Sequence, residues 1–250
     1  MSSSAEIRPP RVLVAVATYN EIENLPQLVE RISAAMPQAD ILVIDDDSPD
    51  GTGHWCDEQK THNPRLHCLH RTGKRGLGSA IIEAMRYAIR QNYHVMVNLD
   101  ADLSHPPELI PQLLETLDAV DPDTTVVLGS RYVEGGGITG WPWRRHVMSR
   151  TINTYAAWML RLPIRDCSGS FRAYPIPMLR RLNFDDITSQ GYSFFEEVLW
   201  RLLRVGARFE EVPFTFVERQ HGTSKINMTE AFKAVFILFG LGVKTWTKRY

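Results

Sequence analysis

The stretch His94-Val-Met-Val-Asn-Leu-Asp-Ala-Asp102 decides the fold, because an apolar run leads directly into two carboxylates. The run up to Leu99 predicts a buried strand. Ser104-His105-Pro106-Pro107 interrupts the chain before an amphipathic segment begins at Glu108. Two carboxylates one residue apart at the end of a strand can hold Mg²⁺ or Mn²⁺ together with a diphosphate, since these ions prefer hard oxygen ligands. A capped, solvated loop is an equally simple explanation of such a short motif.

Other apolar runs of strand length alternate with helical patterns along the chain. Val12–Ala17, Ile41–Ile44 and Leu66–Leu69 predict strands before this stretch, and Thr125–Ser130 predicts one after it. This alternation favours an α/β fold, with a mostly parallel, Rossmann-like sheet and helices on both faces. Every polar cluster in this half of the chain follows a strand. Because ligands of open α/β sheets bind beyond the carboxyl ends of the strands, the sequence predicts a nucleotide site at that edge.

Composition narrows the functional classes. The chain has 250 residues, 44% hydrophobic and 23% charged, with a formal net charge of −1. This length fits one large α/β domain or two small ones. A net charge near zero gives no electrostatic argument for a nucleic-acid partner.

The cysteines and apolar runs indicate the compartment. Cys56, Cys68 and Cys167 show no metal-ligand spacing and no disulfide framework, so a reduced, intracellular setting is expected. The first residues lack the charged and apolar regions of a signal peptide. The longest apolar run, Ala234 to Val243, is far shorter than the ~20 residues of a membrane-spanning helix. We therefore expect a chain that does not cross a bilayer but can still touch one.

Two acidic or polar clusters follow the first two predicted strands. Thr18-Tyr19-Asn20-Glu21 offers an aromatic face and polar edges to a base, although a helix cap with an ordinary turn tyrosine explains it equally well. Asp45-Asp46-Asp47 repel one another, a cost that backbone N–H donors, a cation or a ligand must offset. Asp46 is a candidate acceptor for a base N–H, and a solvated acidic turn is the alternative.

A glycine-rich stretch, Gly73-Lys-Arg-Gly76-Leu-Gly78, resembles a phosphate cradle, because glycines let backbone amides approach an anion at a helix N-terminus. It is not a Walker loop, since neither Ser nor Thr follows Lys74. No Gly-x-Gly-x-x-Gly follows the first strand, which disfavours a dinucleotide-binding domain. An ordinary glycine-rich turn is an equal alternative.

Basic residues in the second half suggest an anion pocket. Arg131 ends a predicted strand, so it is expected at the same edge as Asp102, and a guanidinium fork matches phosphate oxygens. The candidates to complete the pocket are Arg145, Ser149, Arg219 and Lys225. Surface ion pairs are the common alternative for each arginine. His105 and His221 show no ligand spacing and are interpreted as structural.

Taken together, six motifs closely resemble family 2 glycosyltransferases, and within that family the dolichol-phosphate mannosyltransferases, or polyprenol monophosphomannose synthases. They are Ala-Thr-Tyr-Asn-Glu (17–21), Asp-Asp-Asp-Ser-Pro-Asp-Gly-Thr (45–52), Gly-Lys-Arg-Gly-Leu-Gly (73–78), Asp-Ala-Asp-Leu-Ser-His-Pro-Pro-Glu (100–108), Gly-Ser-Arg-Tyr (129–132) and Arg-Gln-His-Gly-Thr-Ser-Lys (219–225). The resemblance covers roughly residues 11–230. It implies a GT-A fold and an inverting, metal-dependent transfer of mannose from GDP-mannose to a dolichyl or polyprenyl phosphate.

The resemblance also implies roles for individual residues. The nucleoside would contact Thr18, Tyr19, Glu21 and Asp46, and Lys74, Gly76 and Asp100 would complete the nucleotide-sugar set. Asp100 and Asp102 would hold Mg²⁺ or Mn²⁺. The acceptor phosphate would be gripped by Arg131, Arg145, Ser149, Arg219 and Lys225. Catalysis would rest on Asp100, Asp102 and Arg131.

Some positions depart from the family pattern. Ser104 stands where some members have a metal-binding glutamine, so a water can take the place of a third side-chain ligand. Ser170 stands where a glycine is expected. Asp166 and Arg172, on either side of it, are therefore retained only as structural candidates.

The charge distribution favours a membrane surface. Trp141 to Arg165 carries five arginines and no acid, and Arg219 to Tyr250 carries six Lys/Arg against the single Glu230. A lipid phosphate stays in its bilayer, so the enzyme must come to it. Two apolar stripes suit interfacial helices, namely Met148, Ile152, Tyr155 and Met159, and Phe232, Phe236, Phe239, Val243 and Trp246. Packing into the core or a dimer contact is the alternative for both.

We therefore expect a flexible segment 1–10, a catalytic domain 11–228 and a membrane-interface helix 229–250. Within the domain, residues 11–130 would bind the nucleotide sugar and 131–228 the acceptor. The enzyme would be cytoplasmic and peripherally attached to the cytoplasmic face of a membrane. A membrane subunit or a homo-oligomer stays open. The alternative functions are transfer from UDP-glucose or another nucleotide sugar to a polyprenyl phosphate, and a catalytically silent nucleotide-binding module that recruits partners to a membrane.

Overall fold

The computed structural model describes residues 10–189, 191–218 and 228–247, with side chains in the last segment from Val235 onward. The strands are β1 Val12–Thr18, β2 Asp40–Asp45, β3 Leu66–His70, β4 Val95–Asp100, β5 Thr125–Ser130, β6 Gly137–Thr139, β7 Arg172–Pro175, β8 Arg208–Pro213 and β9 Thr215–Val217. The α-helices are α1 Leu25–Ala35, α2 Thr52–Gln59, α3 Leu77–Arg90, α4 Ile110–Ala119, α5 Trp143–Leu160, α6 Ile176–Leu179, α7 Phe194–Arg204 and α8 Met228–Thr247. Single 3₁₀ turns occupy Pro107–Leu109, Phe184–Asp186 and Gly191–Ser193.

The central sheet has the strand order β3-β2-β1-β4-β7-β5-β8. β1 is parallel to β2 and β4, β2 to β3, and β5 to β8. β7 runs antiparallel between β4 and β5, so those two strands point in the same direction. The carboxyl ends of every strand in this sheet except β7 therefore lie at one edge. The predicted α/β fold with a mostly parallel sheet is confirmed.

Burial on both faces explains why the strands β1, β2, β4 and β5 carry apolar runs. In β1, Val12, Val14 and Val16 pack against α1 and α4, whereas Leu13 and Ala15 pack against α3 and α7. Strand β7 lacks such a run, because its first residue is Arg172. That side chain is fully buried, and it donates hydrogen bonds to the carbonyl oxygens of Cys167 and Phe195.

A third apolar cluster joins the last helices to the sheet. Leu160 of α5, Leu199 of α7, and Leu238 and Leu241 of α8 pack together in it. The indole N–H of Trp200 also donates to the hydroxyl of Thr245, a buried residue in the last turn of α8, over 2.7 Å. In the described segments, we find no helix with the combination of length and apolar character needed to cross a bilayer.

Candidate active site

The loops after β1 and β2 are joined by hydrogen bonds into one wall of the site. The hydroxyl of Thr18 donates to the Asp45 carboxylate over 3.0 Å, and the amide of Ser48 donates to the other oxygen of that carboxylate over 3.1 Å. The amide of Glu21 donates to the hydroxyl of Thr52 over 3.1 Å. The two polar clusters predicted to bind a nucleoside are therefore brought together. Tyr19 and Glu21 remain partly exposed on this wall.

Asp46 joins this wall to the glycine-rich stretch. Its carboxylate pairs with the buried guanidinium of Arg71 at 2.7 Å and accepts the amides of Arg75 and Gly76 at 3.1 and 2.9 Å. Gly76 has a φ of +88°, a conformation that favours glycine. Two amides of the stretch that resembled a phosphate cradle thus bind Asp46. The charges of Asp45 and Asp46 are thus compensated by hydrogen-bond donors and a guanidinium, as the sequence suggested.

Lys74 lies at the entrance of this wall. Its ammonium nitrogen stands 3.9 Å from the centre of the Tyr19 ring, which is a cation–π arrangement. Lys74 is exposed, so its charge is available to a phosphate that binds beside the ring.

Asp100 and Asp102 lie at the end of β4, and their neighbours hold both of them in place. The hydroxyl of Ser170 donates to Asp100 over 2.7 Å, and the amide of Ser104 donates to Asp102 over 3.1 Å. The Ser104 side chain is buried, and its hydroxyl has no hydrogen-bond partner among the described residues. The Asp100 side chain is 36% exposed, so its carboxylate can reach a bound cation. Two carboxylates with one unpartnered hydroxyl beside them are a donor set that fits Mg²⁺ or Mn²⁺.

His105 packs beside these two carboxylates and binds the backbone of Asp100. Its ring is buried against Phe171, Phe214 and Phe216, with ring centres 5.4 to 5.8 Å apart. Burial lowers the pKa of His105, so the ring is neutral near pH 7. Its Nδ1 accepts the backbone N–H of Asp100 over 3.2 Å, which leaves the ring proton on Nε2. His105 is a structural residue in this arrangement, in agreement with its sequence interpretation.

Arg131 lies at the end of β5, where the sequence placed it, but its guanidinium is engaged. Nε and Nη2 donate to the two Asp166 oxygens over 2.7 and 2.6 Å. Burial opposes charge on both partners, yet their mutual hydrogen bonds leave the pKa of Arg131 raised and that of Asp166 lowered, so both are ionised. Nη1 makes no hydrogen bond to any described residue and is the nitrogen available to an anion.

Arg145 and Ser149 of α5 extend this basic region. Arg145 donates to Glu218 over 2.6 Å, and its guanidinium carbon is 3.9 Å from the centre of the Trp141 ring. The Arg131 guanidinium is 5.8 Å from the centre of the same ring, so the two arginines flank one indole. Ser149 accepts the Tyr132 hydroxyl over 2.7 Å. Arg219 and Lys225 lie outside the described residues.

The acidic and basic groups occupy the same edge of the sheet. The Phe216 ring contacts both His105, which supports Asp100, and the Arg131 guanidinium, which lies 5.8 Å from its centre. Phe216 belongs to β9, which pairs with β6 in a small second sheet above this edge. The arrangement suits two anionic substrates, one held by a cation and the other by guanidiniums.

The sequence did not predict the groups that brace the site. Asp166, Ser170 and the aromatic pair Trp141 and Phe216 hold the charged residues. Asp166 was expected as a structural residue, but none of the four was matched to the residue that it holds. Ser170 carried a signal, because it replaces the glycine expected by resemblance. Trp141 and Phe216 carried none, and nothing in the sequence indicated that Asp166 pairs with Arg131, because these partners are distant in sequence.

Comparisons with known proteins identify the family of this chain. The model of the family described as "Glycosyl transferase family 2" matches residues 13–182. The chain is 43% identical over 242 residues to a polyprenol monophosphomannose synthase of Mycolicibacterium smegmatis, covering 96% of this chain and 90% of that protein. It is 45% identical over 217 residues to an undecaprenyl-phosphate mannosyltransferase of Micrococcus luteus, covering 87% of this chain and 88% of that protein.

Solved structures show the same fold at low sequence identity. One is the mannosyltransferase PcManGT from Pyrobaculum calidifontis in complex with GDP-Man and Mn²⁺, with a TM-score of 0.63, 20% identity, and coverage of 95% of this chain and 65% of that one. Another is glucosyl-3-phosphoglycerate synthase from Mycobacterium tuberculosis with Mn²⁺, UDP and glucosyl-3-phosphoglycerate, with a TM-score of 0.66, 15% identity, and coverage of 92% and 80%. They confirm the expected GT-A fold. The extent of the family match and the identity to the curated relatives show that this chain belongs to glycosyl transferase family 2.

Proposed function

We propose that the chain transfers mannose from GDP-mannose to a polyprenyl phosphate such as dolichyl phosphate, with inversion at the anomeric carbon and release of GDP. The observation that carries the proposal is the contact of Phe216 with both the Arg131 guanidinium and His105, whose Nδ1 accepts the Asp100 amide, at one sheet edge. The names of the two curated relatives, both of which include a polyprenyl-type acceptor, support it.

The donor would bind in the half formed by residues 11–130. Thr18, Asp46 and Gly76 are engaged with other protein groups, so they would shape the pocket. Tyr19, Glu21 and Lys74 are exposed or partly exposed, so they would contact the nucleotide directly. Lys74 beside the Tyr19 ring would place a positive charge near the diphosphate.

Asp100 and Asp102 would hold the divalent cation, either Mg²⁺ or Mn²⁺, with Ser104 reaching it through a water. When bound, this ion offsets the negative charge that develops on the departing diphosphate. Ser170 keeps the Asp100 carboxylate oriented through its 2.7 Å hydrogen bond.

The acceptor would bind in the half formed by residues 131–228. A phosphate monoester has a second pKa near ~6, so its oxygen is already anionic at neutral pH. That oxygen forms the new bond to C1 of mannose as the bond from C1 to the GDP oxygen breaks. The acceptor needs positioning rather than a general base. Arg131 and Arg145, with Ser149, would provide it, and Arg219 and Lys225 remain candidates.

A membrane surface would be the third partner. On α8, Phe236 is 75% exposed and Phe239 is 54% exposed, whereas Leu238 and Leu241 are buried. On α5, Trp143 and Trp158 are also exposed. Helices with one packed face and one exposed aromatic face suit peripheral attachment to a bilayer. The charge of the nearby arginines favours the anionic cytoplasmic leaflet.

The test is transfer from labelled GDP-mannose to a short polyprenyl phosphate in the presence of Mn²⁺ or Mg²⁺. We expect a mannosylated lipid product, its loss in Asp102→Ala, and its retention in Asp118→Ala, a matched control at an exposed position of α4. Transfer from UDP-glucose and not from GDP-mannose would favour the alternative donor. Nucleotide binding without transfer from any donor would favour the silent module.

A further inference from the structure

Three metal-ligating side chains cluster at the outer edge of the sheet, away from Asp100 and Asp102. Asp57 of α2 and Cys68 and His70 of β3 each place one ligand atom within 4.8 Å of the other two. Nε2 of His70 is 3.1 Å from the Asp57 carboxylate, and its Nδ1 is 3.9 Å from the Cys68 sulfur. All three side chains are partly exposed, so an ion can reach them from solvent.

The fold builds this cluster from two elements. Cys68 and His70 are two residues apart on β3, so they face the same side of the sheet. The α2 helix packs over that side and supplies Asp57. His67 faces the other side, where its ring lies 6.3 Å from that of Tyr87. The cysteines show no ligand spacing in the sequence because the third ligand comes from a different element.

We propose that Asp57, Cys68 and His70 bind a zinc ion at a site separate from the proposed catalytic cation. Thiolate, imidazole and carboxylate are the ligands that Zn²⁺ takes, and three protein ligands leave a fourth position for water. Ligands at ~2.0–2.3 Å in a tetrahedron lie about 3.3–3.8 Å apart. No two of the ligand atoms are more than 4.8 Å apart, so the widest pair needs to close by at most about 1.5 Å. A thiolate also disfavours Mg²⁺ and Mn²⁺.

The two cation sites are well separated. From β3 to β4 there are three strand spacings, or about 14 Å. Lys60 currently holds the Asp57 carboxylate at 2.6 Å, and its exposed side chain can swing away when an ion binds. His70 immediately precedes Arg71, the partner of Asp46. An ion bound here therefore fixes the end of β3 beside the wall that the loops after β1 and β2 form.

The experiment uses the full chain with saturating Mg²⁺, which occupies oxygen-ligand sites, and adds Co²⁺ as a spectroscopic substitute for Zn²⁺. We expect one Co²⁺ per chain with a thiolate-to-cobalt charge-transfer band, and we expect Zn²⁺ to displace it. The band should disappear in Cys68→Ser. The affinity should fall at least 10-fold in His70→Gln and in Asp57→Asn. It should be unchanged in His67→Gln, the matched control on the other side of β3.

Circular dichroism and thermal melting of each variant separate lost binding from lost folding. His70→Gln and Asp57→Asn alter exposed side chains, so they keep the test valid if Cys68→Ser folds poorly. Absence of the band in the wild type would overturn the site. So would a band that survives Cys68→Ser, or one that depends on Cys56, the buried thiol beneath it.

Discussion

The Arg131 guanidinium is both a candidate phosphate ligand and half of a buried ion pair with Asp166. Removing one partner of such a pair leaves an uncompensated buried charge, which costs about 3–5 kcal/mol. A loss of activity in Arg131→Ala alone would therefore not separate phosphate binding from folding. The pair itself must be removed to distinguish the two.

We predict that Arg131→Ala lowers the melting temperature markedly, by roughly 2–4 °C for each kcal/mol lost in a chain of this size. The double variant Arg131→Ala/Asp166→Ala should regain part of that stability, because neither charge is then unpaired. Its KM for polyprenyl phosphate should still be raised at least 10-fold. The KM of Arg131→Lys should lie between that of the wild type and that of the double variant. Melting curves and acceptor titrations measure both effects. A double variant with a wild-type acceptor KM would make Arg131 purely structural.

Ser170 is buried and holds the carboxylate of Asp100, the proposed metal ligand, through its hydroxyl. A hydrogen-bond partner behind a metal ligand typically contributes 10–100-fold to metal affinity. We predict that Ser170→Ala weakens Mn²⁺ binding by about 10-fold and that Ser170→Thr, which keeps the hydroxyl, restores it. Paramagnetic titration of free Mn²⁺ gives the affinity directly. Equal Mn²⁺ affinity in the alanine variant and the wild type would show that the 2.7 Å contact has no role in the cation site.

At the scale of one element, α7 carries two buried glutamates with opposite surroundings. Glu197 accepts the amide of Ser189 and two guanidinium N–H groups of Arg201, so its charge is compensated. One carboxylate oxygen of Glu196 has no hydrogen-bond partner among the described residues. Burial raises the pKa of Glu196 to about 8. In the unfolded chain a glutamate titrates near ~4.3.

A raised pKa means that the folded state binds more protons than the unfolded state between about pH 4.3 and 8. The contribution of Glu196 to stability is therefore present at low pH and is lost as the pH rises through about 8. We predict that Glu196→Gln flattens this dependence and raises the melting temperature at pH 8 more than at pH 5. Melting curves across that range, with the exposed Glu115→Gln as the control, measure it. A wild type whose stability does not fall above pH 6 would contradict the assignment.

At the scale of the whole molecule, the exposed aromatic faces of α5 and α8 are the surfaces that we propose contact the membrane. Deleting residues 229–250 is a poor test, because Leu238 and Leu241 belong to the core and their loss would disturb α5 and α7. Substitutions on the exposed face are cleaner. They leave the packed face of α8 intact.

We predict that Phe236→Asp/Phe239→Asp abolishes flotation with anionic liposomes while the melting temperature stays within a few degrees of the wild type. Burying a phenylalanine side chain contributes about 1.5–3 kcal/mol, so losing two weakens membrane binding by two orders of magnitude or more. The control is Val120→Asp, which replaces an exposed apolar residue beyond the end of α4. Flotation of the double variant at the wild-type level would place the membrane contact elsewhere.

Much of this organisation was predictable from the sequence, for identifiable reasons. Strands buried on both faces give apolar runs, and polar clusters follow them, so the sheet and the edge that carries Asp100 and Arg131 could be predicted. Partners distant in sequence could not. Asp46 with Arg71 and Arg131 with Asp166 are pairs that only the tertiary fold selects. Strand β7 was not predicted either, because it begins with the charged Arg172. The carbonyl groups that allow this side chain to be buried become its neighbours only in the folded chain.

The antiparallel strand β7 also fixes the distance between β4 and β5. It keeps β4, which ends at Asp100, two positions from β5, after which Arg131 follows, so the two strands run about 10 Å apart. Direct neighbours would be half that distance apart and would crowd two multiply charged molecules against each other. The intervening strand thus separates the proposed donor and acceptor sites, and the distance between these two sites follows from the strand order of the sheet.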